Sequence, residues 1–226
     1  MTASRKTAVR AAGAPPRTAS REVRRRQLIE ATINSISQHG IGGTTMNTVT
    51  EFAGLSLGIV NFHFKSKQNL LEETLVFLAR EHHDLWFKAY RDAGLSAAEK
   101  LLAIVDAHFH PRICTRKKLS VWYAYFGEAG RRKAYRALVD EIDNQRLGIS
   151  TALCTAIIEE GGYDCPPAQH VAQTLEGLYD GLWLNILMYP ATFTREQCKA
   201  QIRAYLATTF PQHVPAPDFT GEKASD

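Results

Sequence analysis

The stretch GLSLGIVNFHFKSKQNLL, residues 54–71, decides how this chain folds. Leu, Ile, Val and Phe crowd it, yet glycines stand at 54 and 58, serines at 56 and 66, and lysines at 65 and 67. A helix wholly buried in a core carries no such punctuation. Gly54-Leu55 reads as a turn, and Ser56 as the cap of a short helix running to about His63. Ser66 caps the next helix, which continues through LLEETLVFLAREHHDLWFKAY. Upstream, IGGTTMNTVTEFAG predicts a helix of about two turns, capped by Thr44 or Thr45, with Met46, Val49 and Ala53 on one face and Gly54 as terminator. Before that, REVRRRQLIEATINSISQHG places Leu28, Ile29, Ile33 and Ile36 at helical spacing behind a Ser20 cap and stops at Gly40. Two short helices joined by a tight glycine turn, the second entered through a serine, have the layout of a helix-turn-helix.

That layout explains the odd composition of the opening stretch. Val60 and Phe64, four apart, face inward and leave Leu57, Gly58, Asn61 and Phe62 toward the outside. In such a motif the second helix enters the major groove. Gly58 permits close backbone approach, Asn61 suits adenine N6 and N7, and Leu57 or Phe62 suits a thymine methyl. Phosphate anchoring falls to His63, Lys65, Lys67 and the start of the fourth helix, with Thr45 and Thr48 on the other flank. Charge agrees: residues 1–67 hold ten Lys/Arg against three acids, a net of +7, so with +4 overall the remainder carries −3. Arg17, Arg21 and Arg24 to Arg26 add further phosphate or minor-groove donors.

Residues 28–71 resemble the N-terminal domain of the tetracycline-repressor (TetR) family. The match rests on Gly40, the Thr44-Thr45 pair, Val49, Ala53-Gly54, Ser56, Gly58, the aromatic and His run ending at Phe64, and Lys67 before Leu70-Leu71. Where many members carry a tyrosine just before the histidine, this chain has Phe62 and lacks that hydroxyl donor. Further on, AIVDAHF, Trp122 with Phe126, NQRLGIS and LYDGLWLN resemble the choline-responsive, BetI-type branch of the family. The resemblance implies an all-helical ligand-binding body whose last two long helices pair with those of a second subunit. Val171, Leu175, Leu178, Leu182 and Leu187, and then Ile202, Tyr205 and Leu206, are the apolar residues offered to such a homodimer.

The fold expected is all-α: a three-helix DNA-binding domain with a helix-turn-helix, followed by a helical ligand-binding and dimerisation domain. Boundaries fall at 1–20 for a flexible basic arm, 21–66 for the DNA-binding domain, 67–211 for the body and 212–226 for a disordered tail. No apolar run reaches the roughly 18–20 residues that span a membrane, and no apolar segment follows the basic N-terminus, so a cytoplasmic protein is expected. Cys114, Cys154, Cys165 and Cys198 are widely spaced, a pattern of reduced, buried thiols.

Aromatic spacing points to an effector. Trp122, Tyr125 and Phe126 share a helix face, as do Tyr179 and Trp183, with Asp180 beside them and Phe109 on an earlier helix. Aromatic faces with a carboxylate nearby suit a small cation such as choline, each cation–π contact contributing about 0.5–2 kcal/mol. HFHPRIC and EHHD contain His108, His110, Cys114, Glu81, His82, His83 and Asp84, but without metal-ligand spacing, so neither metal nor cofactor is expected. No nucleophile elbow or phosphate loop is present, which argues against an enzyme. The reading is a ligand-responsive repressor binding an operator in double-stranded DNA. Its alternatives are a TetR-type regulator of another small hydrophobic or aromatic effector, and a small-molecule carrier with vestigial DNA binding.

Overall fold

The computed structural model describes residues 20–130, 133–164 and 166–217, and these form nine helices with no strand among them. The expected basic arm, apart from Ser20, and Cys165 lie outside the described residues.

Helix α1 spans Arg21–Gly43, and Ser20 accepts a hydrogen bond from the Val23 amide at its start. Its regular geometry breaks at Gly40, where φ is 67°, so the expected stop appears as a kink followed by one further turn. Helix α2, Met46–Ala53, begins in a reciprocal cap: Thr45 accepts from the Thr48 amide, and Thr48 accepts from the Thr45 amide. It ends at Gly54, whose φ of 63° only glycine adopts cheaply. Gln27 of α1 donates its side-chain amide to the Ala53 carbonyl at 2.7 Å, satisfying one of the acceptors that a helix end leaves open. Helix α3, Leu57–His63, is held by Val60 and, just past it, Phe64, both fully buried. Truncating Phe64 to alanine would cost about 3–5 kcal/mol.

Helix α4, Lys67–Tyr90, leaves this module and enters the body. There it packs against α5 (Ala97–His108) and α7 (Lys133–Gly161). Helix α6, Arg116–Ala129, lies against α1 and is tied to it by a Ser120–Ser37 hydroxyl pair at 3.1 Å. Helices α8 (Ala168–Met188) and α9 (Arg195–Thr209) complete the body. Buried Glu81 of α4 takes Arg112 at 3.0 Å and Lys118, both from the α5–α6 segment, so a carboxylate inside the protein is fully compensated. Cys114, Cys154 and Cys198 are buried, and no described helix is long and apolar enough to cross a membrane.

Two expectations change. Val171, Leu175, Leu182, Ile202 and Leu206 face this chain's own core, because α8 packs on α6 and α7 and α9 packs on α5 and α8. What α8 leaves outside is a different stripe, with Gly177, Gly181, Leu184 and Met188 exposed. The chain also stays packed past Gln212: Val214 is buried, and Tyr163 pairs with the Gln212 amide and the His213 ring, both at 2.8 Å.

Candidate DNA-binding surface and effector cavity

Helix α3 presents to solvent the residues its buried partners leave over. Phe62 is 73% exposed, Leu57 43%, and Asn61 and Gly58 are exposed as well. A Cβ built on Gly58 meets only the Ser56 hydroxyl, at 3.9 Å, so nothing within the protein requires a glycine there. The absent side chain instead leaves the start of α3 able to approach an external surface. Lys65 is exposed, and Lys67 reaches the Gly42 carbonyl at 3.3 Å, which places its ammonium at the last turn of α1. The Arg21 guanidinium lies 6.0 Å from the Phe62 ring centre, adding a cation next to α3. Slight burial, then Arg21, Arg25 and Arg24, lower the pKa of His63, so its ring is neutral near pH 7. Thr45 is exposed, but Thr48 differs from expectation: its hydroxyl bonds the Thr45 amide and carbonyl at 2.9 Å each and Ser35 at 2.8 Å. It is committed to the cap rather than free for phosphate.

The body encloses a cavity of about 210 Å³ between α4, α5, α6, α7 and α8. Of the seven residues expected at an effector site, Trp122, Phe126, Tyr179, Asp180 and Trp183 line it. The indole rings of Trp122 and Trp183 stand 6.4 Å apart, and Phe126 lies 5.8 Å from Trp122 with 43% of its surface exposed. Tyr125 and Phe109 do not line it. Tyr125 turns toward α4, donates to the Leu71 carbonyl at 2.7 Å and borders a neighbouring cavity of about 280 Å³. Phe109 sits just past the end of α5, where the backbone leaves helical geometry, and is buried in the core.

The polar wall was not read from the sequence. His82 and His108 meet edge to face at 4.5 Å, and His108 stacks on Tyr179 at 3.7 Å. Arg146 bonds both carboxylate oxygens of Glu176, at 3.0–3.1 Å from Nε, and Asp143 at 3.1 Å from Nη1. Burial works to lower the Arg146 pKa, and the bonds and charge of Glu176 more than reverse it, so the guanidinium is fixed as a cation. Burial drives His82 and His108 well below the ordinary imidazole value, helped by their mutual interaction at His82 and by Arg146 at both, so both rings are neutral. Burial on one flank and the Glu176 charge raise Asp180, whose other flank is open. Arg146 against Asp143, Glu176 and Asp180 gives the lining a formal charge of −2, which favours a cation. Among the described residues no group of three His, Cys, Asp or Glu is placed to hold a metal ion.

A basic helix-turn-helix on a helical body with its own cavity defines the class: a DNA-binding regulator. Comparison with known proteins narrows it. Residues 28–74 match the model of bacterial regulatory proteins of the tetR family, and residues 97–211 match the C-terminal model of BetI-type transcriptional repressors. The chain belongs to the TetR family, and its body is of the BetI type. The HTH-type transcriptional regulator BetI of Paraburkholderia phymatum is 36% identical over 173 residues, covering 75% of this chain and 84% of that one. BetI of Burkholderia thailandensis is 33% identical over 175 residues, with 75% and 85% covered. A transcriptional regulator from Pseudomonas aeruginosa PAO1 superposes with a TM-score of 0.74 at 28% identity, covering 84% of this chain and 91% of that one. A regulator from Saccharomonospora viridis, solved in complex with choline, shares the fold with a TM-score of 0.71 at 19% identity, covering 82% and 96%. These relatives are transcriptional regulators rather than enzymes.

Proposed function

We propose that this regulator binds operator DNA as a homodimer through α3 and is controlled by a small cation held in the cavity of each body. The observation that carries the effector reading is the presence of two neighbouring indoles, Trp122 and Trp183, tilted 38° to one another, in a cavity with an acidic lining. Aromatic faces attract a cation, and the carboxylates of Glu176 and Asp180 add to that attraction in a partly dry site. A quaternary ammonium ion of choline's type suits both. In the DNA-binding module, Leu57, Gly58, Asn61 and Phe62 meet the groove, while Thr45, His63, Lys65 and Lys67 hold phosphates. The exposed stripe of Gly177, Gly181, Leu184 and Met188 on α8 supports pairing with a second copy better than the leucines buried beneath it.

Coupling between the sites has a physical route. Trp122 and Phe126 of the cavity wall stand on α6, which touches α4 through Tyr125 and Leu71 and touches α1 through Ser120 and Ser37. A ligand that shifts α6 therefore biases how the DNA-binding module sits on the body, and DNA affinity changes by the difference in ligand affinity between the two arrangements. The test is selection of binding sites from a random duplex library, then titration of the selected DNA with and without choline. A specific site whose occupancy responds to choline is expected; binding that is salt-insensitive, or indifferent to sequence, removes the operator reading.

A further inference from the structure

Arginines of α1 close over the segment Phe62–Phe64 at the end of α3. The Arg21 guanidinium lies 6.0 Å from the Phe62 ring centre, and that of Arg25 lies 4.9 Å from the Phe64 ring centre. Arg24 follows on the same helix, its Nη1 donating to Gln27 Oε1 at 2.9 Å. His63 stands between the two covered phenylalanines in sequence, its ring meeting that of Phe62 at 88° with centres 5.2 Å apart, and feels the charge of all three guanidinium groups. Neither of its ring nitrogens has a hydrogen-bond partner among the described residues.

Little in the protein offsets this crowding of cations. The chain carries no acid between Glu51 and Glu72, and Lys65 and Lys67 follow His63 directly. On α4, Glu73 is taken by Arg25 at 2.5 Å and Glu72 accepts from Gln68 at 2.7 Å. Glu22 of α1 and Glu51, the one charge on α2, are exposed. An imidazole placed among arginines gives up its proton more readily than a free one, and His63 is neutral for that reason as well as for its partial burial.

Operator DNA reverses the cause. A phosphate beside the ring adds the opposite charge, and the same phosphates neutralise the arginines that repel a proton. Closer packing against DNA works the other way by drying the ring. The phosphate prevails, because a hydrogen bond from a charged donor is roughly twice as strong as one from a neutral donor. We infer that His63 takes up a proton when α3 binds the operator, so that operator affinity rises as the solution acidifies and the proton acts as a second input beside the effector. The inference rests on the reading above that α3 enters the groove. Its sign follows from linkage: the bound form holds the proton more tightly, so affinity is highest at low pH and falls as pH rises through the bound-state value.

The experiment is titration of the full-length protein with the selected operator duplex between about pH 8 and pH 6, around the ordinary histidine value. Calorimetry at one pH in two buffers of different ionisation enthalpy counts the protons taken up. Affinity is expected to rise on acidification by at most about tenfold per pH unit for each subunit, with net proton uptake. In His63→Gln, which keeps a donor but cannot titrate, the profile is expected to be flat and the uptake lost. In Arg21→Gln the free ring holds its proton better, so uptake near neutral pH is expected to shrink. A flat profile without uptake in the unaltered protein overturns the inference and leaves operator binding standing. Uptake that persists undiminished in His63→Gln places the proton elsewhere and also overturns it. No sequence-specific binding at any pH overturns the groove reading and the inference together. Should His63→Gln not fold, uptake by the unaltered protein and its reduction in Arg21→Gln decide; equal uptake by those two overturns the inference.

Discussion

In the three-helix module Val60 and Phe64 are buried so that Leu57, Asn61, Phe62 and Lys65 stand in solvent. In the body the arrangement is inverted. His82, His108, Arg146 and Tyr179 are buried around a cavity, while Leu184 and Met188 lie exposed on α8. Polar groups at a surface cost little until a partner arrives, whereas polar groups inside must be balanced before any ligand comes. The DNA-binding face and the cavity therefore answer to mutation in different quantities, affinity in one and stability in the other.

The sharpest way to break this contrast is at Arg146. Its removal in Arg146→Ala leaves Glu176 and Asp143 without their cation, and about 3–5 kcal/mol of stability should be lost in urea unfolding. A loss below about 1 kcal/mol would mean that the cluster is well hydrated. Next comes acidity. The folded-state pKa values of His82 and His108 lie below those of the unfolded chain, so the unfolded state binds more protons as pH falls through about 6.5. Stability is thus full above that value and declines on acidification. The melting temperature should fall between about pH 7 and pH 5, and fall less steeply in His108→Phe. On the other side of the comparison, Asn61→Ala should leave the melting temperature unchanged and cost about 1–3 kcal/mol of preference for the selected operator over random duplex. The smallest effect belongs to Lys67→Ala, which should weaken binding to every sequence alike and reduce the slope of log affinity against log salt by about 1.

The same contrast decides what the sequence discloses. Caps and turns are local, so Ser20, Thr45, Gly54 and Ser66 mark the helix-turn-helix within a few residues of where it lies. Burial of Val60 and Phe64 follows from a spacing of four. The cavity is assembled from five helices, and no spacing states which of them face one another. Helical periodicity brought out Trp122 with Phe126 and Tyr179 with Trp183, but a helix face is broad enough that Tyr125, three residues from Trp122, turns to another helix. His82 and His108 are 26 residues apart and became neighbours only because α4 and α5 pack together. For the same reason Leu175 and Leu182 of α8 could be recognised as apolar without disclosing that this chain's own core, rather than a second copy, covers them.

Helix α4 begins at Lys67, beside the DNA-binding surface, and carries His82 on the cavity wall fifteen residues later, about 22 Å along a continuous helix. One rod thus reaches both candidate sites, and any coupling along it would run in both directions. If filling the cavity lowers operator affinity by some factor, occupying the operator must lower the cavity's affinity for its guest by that same factor. Copies already seated on DNA would then need a higher effector concentration to respond than copies free in solution. An affinity measured on the free protein would accordingly understate the concentration at which the promoter is released.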